Sequence, residues 1–235
     1  MLYVYGIVDA PQVGIDVRGH ADAAVHAVAC GDFAAAVSPL DGDAAPQPDN
    51  VWRHERVLQA LMRAHAVLPS RFGTLVRDDA MLHAQLQRQQ SAFVNELARL
   101  RGKVEFALRA TVNSAAPAES TTVIHEAAPC ATGAGYLRAK AARLREQTAY
   151  EDAARVVEHL LRRQFDIYAC NAAWDVVPDA SARLIASYLV ERDKIAAFRA
   201  TVDRARERHP ALAITCTGPW APYSFVALGG VEARS

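Results

Sequence analysis

Apolar and polar positions along this chain change period several times, and each change marks an element. Leu2 to Val8 is a run of β-branched and aromatic residues and predicts a strand. Val25 to Cys30 and Phe33 to Ser38 predict two more short strands, with Gly31-Asp32 as a two-residue hairpin turn. Leu40 to Asn50 carries prolines and aspartates and reads as a loop. A helix starts near Asp49-Asn50, either of which can cap it, and ends by Ala66. Its apolar face is Val51, Leu58, Leu61 and Met62. Val67 to Val76 reads as one strand containing Arg71-Phe72-Gly73. Asp78-Asp79 open a second helix with the acidic first turn that the helix dipole favours. It buries Leu82, Leu86, Phe93, Leu97 and Leu100 and stops at Gly102.

Beyond Gly102 the pattern is cleaner. Val104, Phe106, Leu108, Ala110 and Val112 alternate along a half-buried strand, and Glu105 falls on its polar side with Arg71 or Arg109 as candidate partners. Ser114 to Gly135, rich in Ala, Pro, Ser, Thr and Gly, predicts a loop or insertion. A long helix follows from Tyr136 to about Tyr168, then a strand Ala172–Val177, a turn at Pro178-Asp179-Ala180 and a strand Leu184–Val190. Arg192 to Arg208 is a helix and Leu212 to Thr217 a final strand. This β-α-β-β-α-β order is the ferredoxin-like split arrangement, with helices on one face of an antiparallel sheet. The expected fold class is therefore α+β in two domains. Residues 1–101 form a small N-terminal α+β domain, and residues 102–235 a ferredoxin-like C-terminal domain with a long helix and an aromatic tail.

Composition narrows the function classes. At 235 residues the chain is long enough to bury a sizeable core. Acidic and basic residues balance at 26 each, which argues against a generic nucleic-acid or anionic-membrane binder. No apolar run approaches the roughly 18 residues that span a bilayer. Cys30, Cys130, Cys170 and Cys216 are isolated, with no metal-site or thioredoxin-like spacing. With a strand-like N-terminus and no leader pattern, they predict free thiols in a reducing cytoplasm.

Catalytic patterns are weak. His54 and His65 fall on one predicted helix about 16 Å apart at 1.5 Å per residue, too far to share a metal ion. His54 instead reads as a partly buried, hydrogen-bonded residue. Gly133-Ala134-Gly135 echoes a dinucleotide loop, but position 138 is arginine where a third glycine belongs. The mixed charges of the long helix read as a solvated face. No catalytic residue, cofactor or metal site is predicted, and the chain is read as a non-enzyme.

Two segments stand out for recognition. Arg71 offers a planar fork of donors beside Phe72 and Gly73; it fits a carboxylate or carbonyls of a partner, with an internal salt bridge as the favoured expectation. Gly218-Pro219-Trp220-Ala221-Pro222-Tyr223-Ser224-Phe225 joins prolines to aromatics, and predicts a rigid, extended segment that packs against its own domain or a partner. In an extended run Tyr223 and Phe225 share one parity and Trp220 takes the other, so one side anchors the tail and the other stays open. Arg71, Phe72, Trp220, Tyr223 and Phe225 are the candidate partner-binding residues.

These same segments carry a family resemblance. The tail resembles the Gly-Pro-Trp-Pro-Pro-Tyr-Ser-Phe signature of the GvpF/GvpL family of gas vesicle proteins, with Ala221 where the family usually has proline. Leu68-Pro69-Ser70-Arg71-Phe72-Gly73-Thr74 is similar to its Leu-Pro-x-Arg-Phe-Gly-Thr run. Weaker matches follow in order: Tyr3-Val4-Tyr5-Gly6-Ile7-Val8, His54-Glu55, Gly102-Lys103-Val104-Glu105-Phe106, and Gly133 to Leu137. The resemblance implies an N-terminal α/β domain followed by a modified ferredoxin-like domain. It implies a minor or accessory protein located at the gas vesicle, within the cytoplasm. The implied partners are the small, very apolar shell protein and other gas vesicle accessory proteins, in a chaperone-like or shell-associated role. The alternative expectation, by fold analogy, is a ferredoxin-like small-molecule-binding or regulatory module.

Overall fold

The computed structural model describes residues 1–42, 45–112, 169–177 and 183–227, together with Tyr136, Leu137, Lys140, Ala141, Leu144, His159, Arg162 and Phe165, all eight of which are helical. The expected 114–135 loop and the 178–180 turn lie outside the described residues. The fold is mixed α and β. It divides into two compact units: 1–106 with 189–192 and the tail from 218 onward, and 107–188 with 193–217.

The first unit is built on an antiparallel sheet of order β2-β3-β1-β4, where β1 is Leu2–Val8, β2 His26–Cys30, β3 Phe33–Pro39 and β4 Val67–Pro69. A short β5, Leu75–Val76, also pairs with β1. β1 is central because nearly all its side chains are buried; Ile7 stands opposite Ala35 on one neighbour and Leu68 on the other. β4 and β5 replace the single strand expected over Val67–Val76. Pro69 has no N–H with which to extend the ladder. At Gly73 the backbone turns through φ +82°, a conformation that favours glycine.

Helix α1 spans Pro48–Met62. It begins before Asp49 and Asn50, and Gln47 at its N-cap makes no side-chain cap. Proline suits this first position, since its missing N–H would be unpaired there. Its buried residues are His54, Val57, Leu58, Leu61 and Met62, whereas Val51, in the first turn, is exposed. Because α1 stops at Met62, His65 lies outside it. The second predicted helix is two: α2, Asp79–Arg88, and α3, Gln90–Leu100, broken at Gln89. Asp78 caps α2 by accepting the Met81 N–H at 2.8 Å. The expected stripe of Leu82, Leu86, Phe93, Leu97 and Leu100 survives the break and is buried with Val4, Phe33 and Leu68.

A second sheet has the order β7-β8-β6-β9, from β6 (Lys103–Val112), β7 (Ala169–Val177), β8 (Arg183–Glu191) and β9 (Leu212–Trp220). A short 3-10 turn at Arg192–Lys194 leads into α4, Ile195–Arg208. Phe165, Tyr188 and Phe198 form a buried aromatic trio with centroids 5.4–5.5 Å apart. β9 is an edge strand, where a proline such as Pro219 removes no ladder bond that the sheet needs.

Candidate functional site

After β9 the chain does not run out extended. Tyr223–Phe225 closes into a 3-10 turn, with the Phe225 N–H donating to the Pro222 carbonyl. The expected alternation of Tyr223, Phe225 and Trp220 is therefore lost. Phe225 enters the core of the first unit. Around it the tail is strapped down. The Gln59 amide donates to the Pro219 carbonyl at 2.8 Å, and the Arg99 guanidinium to the Phe225 carbonyl. Glu105, only 6% exposed, accepts both the Ser224 N–H at 2.9 Å and the Ser224 hydroxyl at 2.7 Å. That pairing replaces the expected partners Arg71 and Arg109: a carboxylate buried in an apolar strand needs donors that come to it. Gly218 makes the approach possible. Its φ is +124°, and a Cβ there would lie 2.7 Å from the Glu105 carbonyl oxygen.

Tyr223, itself 36% exposed, completes a polar relay whose inner end is buried. The Gly73 N–H donates to the Tyr3 hydroxyl at 3.1 Å, and that hydroxyl meets His54 Nδ1 at 2.8 Å. His54 Nε2 meets the Tyr223 hydroxyl at 2.9 Å, and Tyr223 donates to Glu55 Oε1 at 2.8 Å. The ends set the direction. Because Tyr223 gives its proton to Glu55, Nε2 must donate to Tyr223, and Nδ1 then accepts from Tyr3. His54 is thus held neutral with its proton on Nε2. Beside it Tyr5 bonds Ser38 at 3.0 Å and accepts the His20 N–H at 2.8 Å. Phe72 packs edge-on against Tyr3, His20 and His54.

Electrostatics agree with that geometry. Burial, then the neighbouring His20, lowers the His54 pKa to about 4, although the Ser70 backbone pulls the other way. Burial likewise lowers His20. Burial raises Tyr3, and burial with the Glu55 charge raises Tyr223, so both phenols stay protonated. Burial also raises Glu55, against the Tyr223 hydrogen bond that lowers it. Both imidazole nitrogens are committed to tyrosine hydroxyls. Among the described residues no group of His, Cys, Asp or Glu is placed to hold a metal ion, and no helix is long and apolar enough to cross a membrane.

Of the sequence-predicted residues, Phe72 and Tyr223 converge on the same histidine, and Phe225 is in the core. Trp220 is partly buried at the end of β9. Arg71 stands apart: it is exposed and makes no ion pair among the described residues, so the expected salt bridge is absent. Only its carbonyl is engaged, by Thr74. Sequence reasoning assigned no role to Tyr3 or Tyr5. Their signal was a hydroxyl at alternate positions of an otherwise apolar strand, where a buried phenol needs a partner.

A family model described as gas vesicle synthesis protein GvpL/GvpF matches residues 1–227. The chain belongs to this family. Gas vesicle protein F of Streptomyces sp. (strain CB03234) is 28% identical, over 95% of this chain and 98% of the relative. Gas vesicle protein L of the same organism is 31% identical, over 77% of this chain and 70% of its own. The crystal structure of GvpF from Anabaena sp. PCC7120 matches the fold with a TM-score of 0.77 at 18% identity, covering 100% of this chain and 99% of that one. In this GvpL/GvpF member the motif segments other than Gly133 to Leu137 meet in space. Tyr3, His54-Glu55, the Arg71-Phe72-Gly73 turn, Glu105 and the Gly218–Phe225 tail form the relay and the strap.

Proposed function

We propose that this chain is an accessory protein of gas vesicle assembly that acts by binding the small hydrophobic shell protein, and not by catalysis. The family match over residues 1–227 carries the reading. The commitment of both His54 nitrogens to internal hydrogen bonds supports a structural rather than a catalytic use of the most unusual polar cluster. The finer fold reading goes with it. The C-terminal domain of residues 102–235 is read as ferredoxin-like, a reading supported by the β7-β8-β6-β9 order and by α4 between β8 and β9. The site of action is the gas vesicle, within the cytoplasm, with other accessory proteins as further partners. Arg71, Phe72, Trp220 and Tyr223 supply contact surface, and Phe225 holds the tail that presents it.

The experiment is co-expression of the tagged chain with the shell protein, followed by affinity capture. The shell protein is expected to co-purify in soluble form. Arg71→Ala is expected to weaken capture at least several-fold with an unchanged melting temperature, since its guanidinium makes no internal ion pair among the described residues. Failure of the wild-type chain to retain the shell protein overturns the proposal.

A further inference from the structure

A groove of about 580 Å³ runs beside α1 in the first unit. A second hollow of about 370 Å³ shares Trp52, Arg53 and Arg56 with it. The helix contributes Trp52, Arg53 and Arg56, and Arg63 follows at its C-cap; Arg18 and Trp220 face them from the loop after β1 and from the tail. Trp52 is 60% exposed, which is costly for the largest apolar side chain unless something covers it. The side chains of Arg18, Arg53, Arg56 and Arg63 make no ion pair or hydrogen bond among the described residues. Tryptophan and arginine together are the residues that concentrate binding energy at protein interfaces.

The charge is asymmetric across the groove. Asp16 and Asp22 stand on the loop wall beside Arg18, and Asp49 lies one turn before Arg53 in the second hollow. On the groove's α1 wall the one carboxylate is Glu55, already engaged by the Tyr223 hydroxyl. The helix wall is therefore basic, and the loop wall turns carboxylates toward it. Arg53, Arg56 and Arg63 are three and seven residues apart, or about 4.5 and 10.5 Å along the axis at 1.5 Å per residue. Carboxylates one and two turns apart on a facing helix match that spacing.

We propose that this groove takes an acidic helical segment of a partner protein, its carboxylates on Arg53, Arg56 and Arg63 and an apolar side chain against Trp52 and Trp220. The proposal rests on the reading that this chain works by binding protein, and it names the surface and the chemistry. The probe is a fluorescein-labelled amphipathic peptide of about four helical turns, with glutamates at i, i+3 and i+10 and leucines on the adjoining stripe. A control peptide carries lysine at those three positions. Fluorescence anisotropy with the full chain is expected to show binding of the acidic peptide only, weakening as salt rises from about 50 to about 500 mM. Arg53→Glu/Arg56→Glu is expected to lower its affinity at least tenfold with an unchanged melting temperature, while Arg88→Glu on α2 has no effect. Equal binding by the double variant, equal binding of the lysine peptide, or displacement by a short single-stranded oligonucleotide overturns the proposal. Shell-protein capture by the double variant keeps the two readings apart. Undiminished capture removes the groove and leaves the assembly role standing, whereas absent capture by wild type removes the assembly role whatever the peptide does.

Discussion

His54 shows how one residue couples the strap to pH. Its pKa falls from the ordinary 6.5 to about 4 in the folded chain, because burial disfavours the charged imidazolium and the neighbouring His20 adds to that. The unfolded chain binds that proton first as the pH drops. The stability is therefore fully present above about pH 6.5 and is lost as the pH falls toward 4, by about 3 kcal/mol in all. His20 acts in the same direction, and Glu55, raised by burial, partly opposes it. Urea unfolding midpoints should fall steeply between pH 6.5 and 4.5. His54→Phe should flatten that slope and cost about 2–4 kcal/mol at neutral pH, since it leaves the Tyr3 and Tyr223 hydroxyls without their partner. A slope unchanged by the substitution would place the acid sensitivity elsewhere. That His54 would be buried and hydrogen-bonded was readable from its place on an apolar helix. Its partners lie 51 and 169 positions away, and nothing local specifies them.

Among the elements, the tail was the most legible as chemistry and the least legible as shape. Prolines and aromatics in one run do require packing, and Phe225 is buried. The expected extended run gives way to a turn because Glu105, His54 and Glu55 draw Ser224 and Tyr223 inward. Phe225→Ala should cost about 3–4 kcal/mol in chemical denaturation, the range for a large core aromatic. A cost below about 1 kcal/mol would show that Phe225 is not part of the core. The strand expected over Val67–Val76 failed for a comparable reason. A proline and a left-handed glycine divide it, and the two remnants rejoin the same partner strand.

On the scale of the whole molecule, the first unit is assembled from stretches far apart in sequence. Leu189 and Phe225 share its core with Val4 and Leu97, and the Arg192 guanidinium donates to the Met62 carbonyl. A chain ending at residue 217 keeps every strand of the first sheet yet loses Phe225, Tyr223 of the relay and both donors to Glu105. It should melt at least about 10 °C lower than the full chain, given roughly 2–4 °C per kcal/mol for a protein of this size. Scanning calorimetry decides it, and an unchanged transition would reduce the strap to a surface ornament.

By itself the sequence determined the elements whose signal is local. These are the apolar run of β1, the alternation of β6, the acidic start of α2 at Asp78-Asp79, the buried stripe carried through α2 and α3, and the family motifs in their order. Their physics acts within a few residues, through side-chain period, φ restriction and hydrogen bonds to neighbouring amides. Tertiary structure alone decided what those motifs do together. Tyr3, His54 and Tyr223 become one directed relay only when a strand, a helix and a returning tail bring them together. Glu105 finds Ser224 and not an arginine for that reason too. Burial sets the demand for partners, and the fold determines which distant group meets it.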